Sequence, residues 1–317
     1  MANWLQTAKT AGQSARTTNS SLVAIKGFSR WLVSDRSAPD DPLAHLRQGN
    51  EETDIRVERR APTAEELQRV VQAAWKSSRI FRKLSGSDRA MLYTTAAYTG
   101  LRASELASLT EASLDLEGDP PTIIVQAGYS KHRRKDIQPI PSWLAGRLRE
   151  WLGDRPAKSE EPVAAVPIRP AAGSAKLWPG SWVQGRAAEM LRIDLDAARA
   201  AWLDETEADA EERSRRERSD FLQERDNAGR VFDFHALRHG FISSLVAAGV
   251  HPKVAQELAR HGTISLILDR YTHLKLAGVI QALELLPELP MSPTGDAARA
   301  TGTDRVAPDF PVQPDRP

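Results

Sequence analysis

The chain has 317 residues, 41% of them hydrophobic, enough for one large or two medium domains with a sizeable core. It contains no cysteine, which excludes disulfides, thiolate metal sites and cysteine nucleophiles and fits a reducing compartment. Its 43 lysines and arginines stand against 42 acidic residues, so a net charge of +1 neither demands nor forbids a polyanionic partner; the distribution of charge has to decide.

The opening "MANWLQTAKTAGQSARTTNS" lacks the apolar run of a signal peptide. No later stretch stays apolar over the roughly 18 residues that a membrane span needs, so a cytoplasmic protein with no membrane association is expected. Residues 1–18 read as loosely ordered. Leu22, Ile25, Phe28, Leu32 and Val33 recur at helical spacing and predict a helix over 19–35. A polar connector follows and ends near Pro62, where a domain boundary is expected. The division is 1–60 as a short helical region, 61–290 as the main domain and 291–317, rich in Pro, Gly, Ala and Asp, as a disordered tail.

Thr63 with Glu66 three residues on predicts a capping box for the next helix. "SDRAMLYTTAAYTG" predicts another, ending at Gly100, and a third begins near Arg102. "PTIIVQAGYSKHRRKDIQPIP" predicts two strands around a basic turn. Residues 203–226 carry ten acidic residues against five arginines and predict a solvated helical excursion. Asp233 is placed to cap a helix through "FHALRHGFISSLVAAG", with Gly249 as its stop and Pro252 opening the next. The fold class is mainly α with a small antiparallel β-sheet.

"FDFHALRHGF" puts two histidines and an arginine into five positions of an otherwise core-like helix. His235 and Arg238, three apart, share a face. They either bond local backbone at the helix entrance or serve a site together. His235 and His239 also have the i, i+4 spacing of helical zinc ligands, but no glutamate lies between them as in HExxH and no third ligand set follows, so no metal is assigned. In "YTGLRASELASLT" Arg102 stands at a helix start, where a guanidinium fork and free amides can meet an anion, or it simply pairs with Glu105. The basic turn offers Lys131, either a mobile ammonium or one of a solvated cluster. "LARHGTISLILDRYTH" adds His261 and Tyr271, and a lone tyrosine there is ordinarily a packing residue.

Taken together, "TGLRASEL", the hairpin lysine, "HALRHGF" and "ARHG…DRYTH" resemble, in kind and order, the boxes of the tyrosine recombinase (phage-type integrase) family over residues 61–275. The resemblance implies an integrase-like catalytic domain preceded by a short helical core-binding domain. It also implies site-specific DNA cutting and rejoining through a 3′-phosphotyrosyl intermediate, independent of metal, ATP or any other cofactor. Arg102 and Arg238 would clamp the scissile phosphate, Tyr271 would attack it, His235 would accept the phenol proton, Lys131 would protonate the leaving 5′ oxygen and His261 would hydrogen-bond the phosphate. Glu105 would orient the pocket.

The implied partners are double-stranded DNA and three further copies, a homotetramer on two DNA sites. Arg59, Arg60, His132, Arg133, Arg134 and Lys135 are the expected phosphate contacts. The chain departs from the family pattern in three places: the region before Pro62 is short, Arg260 stands where glycine is common, and the acidic excursion has no assigned role. A DNA-binding regulator using residues 241–265 as helix, turn, helix, and a topoisomerase of type IB, are the alternatives.

Overall fold

Side-chain caps open most of the helices in the computed structural model, which describes residues 2–260 apart from 52, 55, 130–134, 156–174 and 207. Of the two contact units, Met1–His273 and Leu274–Pro317, everything described belongs to the first. The described residues are mainly helical with one small antiparallel sheet among them, as expected.

The amino-terminal region is ordered where loose chain was expected. Helix α1 spans Ala2–Thr10, and Ser14 then caps α2, Ala15–Ser34, its hydroxyl accepting from the Thr17 N–H at 3.1 Å. The polar connector folds back on this cap. Asp54 accepts from the Ala15 N–H at 2.6 Å, and Asn19 exchanges two hydrogen bonds with Gly49, at 2.9 and 2.8 Å. Of the predicted apolar stripe, Leu22 is buried, whereas Phe28 stays exposed and stacks on the exposed Trp31.

Helix α3, Ala64–Lys76, begins with the predicted capping box of Thr63 and Glu66. Helix α4, Gly86–Thr99, ends at Gly100, and the short α5, Ala103–Leu106, follows. Strands β1 (Leu114–Asp115), β2 (Thr122–Val125) and β3 (Asp136–Pro139) form an antiparallel sheet in that order, with Ile123 opposite Gln138. Helix α6 covers Ser142–Gly153, α7 Ala187–Asp204, α8 Ala210–Arg218, α9 Phe234–Ala247 and α10 Pro252–Ala259.

The core gathers Tyr93, Leu101, Trp178, Trp182, Phe232 and Leu237, all nearly inaccessible. Inside it Arg89 and Asp194, each 1% exposed, join α4 to α7 through bonds of 2.8 and 2.9 Å, and Tyr93 donates to the same carboxylate at 2.7 Å. Burial first, then Asp194, raises the Tyr93 hydroxyl well above its ordinary pKa. Removing one partner of such a buried pair leaves an uncompensated charge and costs about 3–5 kcal/mol.

The acidic excursion is helical and solvated over α8, which buries no residue, but beyond it the chain leaves the helix and returns Leu222, 1% exposed, to the core. Arg216 ties it to the body by pairing with Glu205 and lying 4.7 Å from the Trp202 ring centroid, while Arg199 donates to the Glu217 and Ser219 carbonyls at 3.0 Å.

Candidate active site

The site starts from a glycine. Gly100 closes α4 with φ 60, the left-handed region that side chains avoid, and a Cβ there would stand 2.5 Å from the Phe241 ring. The turn drives Leu101 into the core and leaves Arg102 at the N-cap of α5. Arg102 is fastened there twice: its backbone N–H donates to Glu105 Oε2 at 2.7 Å and its Nη1 to Oε1 at 3.0 Å. Glu105 is 1% exposed and the Arg102 side chain 25%, so a buried carboxylate holds a guanidinium that reaches the surface.

The second arginine arrives on α9. Asp233 caps this helix as predicted, accepting from the Ala236 N–H at 3.0 Å. Arg59 binds the same carboxylate, with Nε 2.9 and 2.8 Å from its two oxygens. Phe234, Ala236 and Leu237 fill the core, which fixes the rotation of the helix. Arg238, 4% exposed, donates one terminal nitrogen to the Gly100 carbonyl and the other to the Ala259 carbonyl. It thereby stitches the α4–α5 turn to the end of α10. Burial above all, then the neighbouring Arg102 and Arg260, pulls its pKa down to about 9, against the opposing pull of Glu105. It stays cationic at neutral pH, and an anion between the guanidiniums relieves their repulsion.

A third guanidinium completes the cluster. Arg260 follows α10 with φ 50 and directs Nη2 to Glu105 Oε2 at 2.6 Å. It is 9% exposed, and burial first lowers its pKa, with Glu105 and Asp136 opposing. Sequence reasoning gives Arg260 no role; the available signal was a charged residue at a helix C-terminal position where glycine is favoured. Three arginines thus surround one buried carboxylate.

His235 lies at the outer edge of this cluster with its side chain exposed. Crowding by neighbouring atoms, then Arg59, lowers its pKa, Asp233 opposes, and Arg238 and Arg102 lower it further. Its ring meets His239 edge-on at 5.4 Å, and no third metal-binding side chain joins them among the described residues.

Arg102, Glu105, His235 and Arg238 therefore converge. Lys131, His132, Arg133, Arg134, His261 and Tyr271 lie outside the described residues, while Lys135 is exposed beside β3. Arg59 and Arg60, both expected to contact phosphate, pair with carboxylates of the chain itself. Arg60 turns inward, binding Glu66 through two bonds of 2.7 Å and lying 5.1 Å from the Phe232 ring centroid, and its side chain is only 10% exposed. Glu66 attracts it because that carboxylate, buried as the helix cap, needs a counter-charge. Arg59 is committed to Asp233. In the segment expected to form helix, turn, helix, α9 and α10 bury Ile242, Ala255 and Ala259 against each other.

The phage integrase family model matches residues 62–277, and so covers the whole cluster. The chain is 26% identical over 263 residues to the tyrosine recombinase XerC of Xylella fastidiosa strain M23, covering 83% of this chain and 71% of the relative. It is 28% identical over 266 residues to the same-named protein of Azotobacter vinelandii, with the same coverage. Among solved structures, the Tn1549 transposon integrase in complex with circular intermediate DNA has the same fold, with a TM-score of 0.56 at 17% identity over 89% of this chain and 82% of that one. The XerH site-specific recombinase bound to difH substrate also shares it, with a TM-score of 0.53 at 18% identity over 90% and 69% of the two chains.

Proposed function

Because this chain belongs to the phage integrase family of tyrosine recombinases, we propose that it cuts and rejoins double-stranded DNA at specific sites through a 3′-phosphotyrosyl intermediate. The observation that carries the reading is the convergence of Arg102 and Arg238 beside the buried Glu105. A phosphodiester gains negative charge on its non-bridging oxygens on the way to the transition state, and two planar guanidiniums match that charge in sign and shape. They do the electrostatic work that a divalent metal does elsewhere, so the reaction needs neither metal nor ATP.

Tyr271 is the nucleophile. A free phenol has a pKa of about 10, so at neutral pH it needs a cationic pocket or a base to become reactive. His235, held neutral below the ordinary histidine range, is the acceptor for its proton. Attack at phosphorus forms the phosphotyrosyl ester and releases a 5′ oxygen, which Lys131 protonates. His261 hydrogen-bonds the phosphate and Glu105 orients Arg102. The ester conserves the energy of the broken bond, and a 5′ hydroxyl from another duplex can reverse the step, giving strand exchange.

Residues 1–60 and the basic turn around Lys131 to Lys135 hold the DNA mainly by phosphate contact, and four copies act on two sites in the cytoplasm. Two DNA-bound recombinases of the same fold agree with this partner.

The test uses nicked duplexes with randomised flanks, incubated with the full chain in chelator. DNA covalently held by the protein is recovered and sequenced, which also defines the target. An adduct with the natural chain and none with Tyr271→Phe is the expected result. An equal adduct from Tyr271→Phe, or none from either, defeats the proposal, and the second outcome leaves a binding protein without chemistry.

A further inference from the structure

We propose that Arg260 is a positioning residue of the strand-cutting reaction: by taking a share of Glu105 it leaves the Arg102 guanidinium its charge for the scissile phosphate. The inference rests on the function proposed above.

Its first support is conformational. Arg260 holds φ 50, ψ 47 at the end of α10, a backbone state in which glycine is favoured and a long side chain is penalised. The side chain does not turn to solvent, where an arginine at a helix terminus has its lowest desolvation cost. It runs inward to 9% exposure and ends 2.6 Å from Glu105 Oε2.

Its second support is the charge count at that carboxylate. Glu105 Oε2 accepts from the Arg102 backbone N–H at 2.7 Å and from Arg260, while Oε1 accepts from Arg102 Nη1 at 3.0 Å. Were Arg102 the only cation on Glu105, the buried pair would be neutral and its guanidinium drawn onto the carboxylate. With Arg260 sharing the load, and with Asp136 as the second carboxylate acting on Arg260, the two carboxylates face two cations, Arg102 and Arg260. Arg238, fixed on the carbonyls of Gly100 and of Ala259, the residue just before Arg260, adds a third. The cluster therefore carries a surplus of positive charge with little water to screen it, and the species that relieves this is an anion lying against Arg102 and Arg238. Negative charge grows on the phosphate as the tyrosine attacks, so the contribution of Arg260 is larger in the transition state than in the bound ground state.

The experiment compares the natural chain with Arg260→Gly and Arg260→Lys on the nicked duplex recovered from the covalent trap. The duplex carries either the normal phosphodiester or a neutral methylphosphonate at the cleaved position. For Arg260→Gly, single-turnover adduct formation on the phosphodiester falls about tenfold or more, while DNA affinity stays within about twofold. Glycine relieves the backbone but strips the buried Glu105 of one of its two cations, so the thermal midpoint is measured alongside and rates are compared well below it. Arg260→Lys recovers part of the rate. On the methylphosphonate, which gains less negative charge, the gap between the natural chain and Arg260→Gly shrinks to about threefold or less.

A purely structural Arg260 loses rate equally on both substrates, and an idle one loses none; either result overturns the inference and leaves the strand-cutting reading standing. If the natural chain forms no Tyr271 adduct, that reading falls and takes this one with it. Should Arg260→Gly fail to fold, the contrast between Arg260→Lys and Arg260→Gln on the two substrates decides in the same way.

Discussion

Replacing Gly100 by alanine tests how the fold builds the arginine cluster. The new Cβ faces two penalties. At φ 60 an L side chain in the left-handed region costs about 1–2 kcal/mol. The Cβ also lands 2.5 Å from Phe241 Cδ1, far inside contact distance, and overfilling of this kind costs about 1–3 kcal/mol. Together they predict a loss of about 2–5 kcal/mol, and at about 2–4 °C per kcal/mol for a domain of this size the thermal midpoint drops by about 4–20 °C. Because the Gly100 carbonyl holds Arg238, cleavage measured well below the melting range falls further than the unfolded fraction explains.

The assay pairs calorimetric melting with single-turnover adduct formation for Gly100→Ala, Phe241→Leu and the double variant. Relief of the ring contact makes the two substitutions couple by about 1 kcal/mol or more, leaving the backbone cost behind. A midpoint within about 2 °C of the natural chain, together with unchanged cleavage, would refute the reasoning.

Three further outcomes follow from the same geometry. Asp194→Asn strands Arg89 in the core and lowers stability by about 3–5 kcal/mol in denaturant unfolding; a change under about 1 kcal/mol contradicts the buried network. Arg238→Lys keeps the charge but loses the fork, so single-turnover cleavage drops about 10²–10³-fold with little change in DNA affinity, and a matching loss of affinity contradicts a transition-state role. Arg59→Gln removes a cation that lowers the His235 pKa and frees the Asp233 charge that raises it, so both effects move that pKa upward. In the natural chain the required neutral imidazole persists below the ordinary histidine value of 6.5 and is lost as pH falls through its lowered value; the acid limb of cleavage therefore shifts to higher pH in the variant, and an unmoved limb contradicts the assignment of His235 as proton acceptor.

Much of this arrangement is local chemistry and is readable from the chain. Thr63 and Glu66, Asp233, Gly100 and Pro252 mark helix ends by rules that act within a few residues, and the structure places each as those rules require. Arg102, Glu105, His235 and Arg238 are singled out by motif, and their closeness in space follows from Gly100 and the buried face of α9. What sequence reasoning passes over depends on distant partners. The start of α2 is ordered because Asp54 and Gly49, more than a helix length away, reach back to it. Strand β1 has only two residues, too few to show an alternating pattern. Arg60 belongs to Glu66 because a buried capping carboxylate outcompetes solvent for it, and Arg260 matters only once α10 carries it to Glu105.

The most direct measurement is a crystal structure of the full chain with a duplex of the recovered sequence that lacks the scissile phosphate, and with orthovanadate in its place. The expected result is one vanadate bound by both Arg102 and Arg238 within hydrogen-bonding distance, Glu105 behind Arg102, and the Tyr271 oxygen in line with the departing 5′ oxygen. Guanidiniums that contact separate anions, or a vanadate reached by some other hydroxyl, would contradict it.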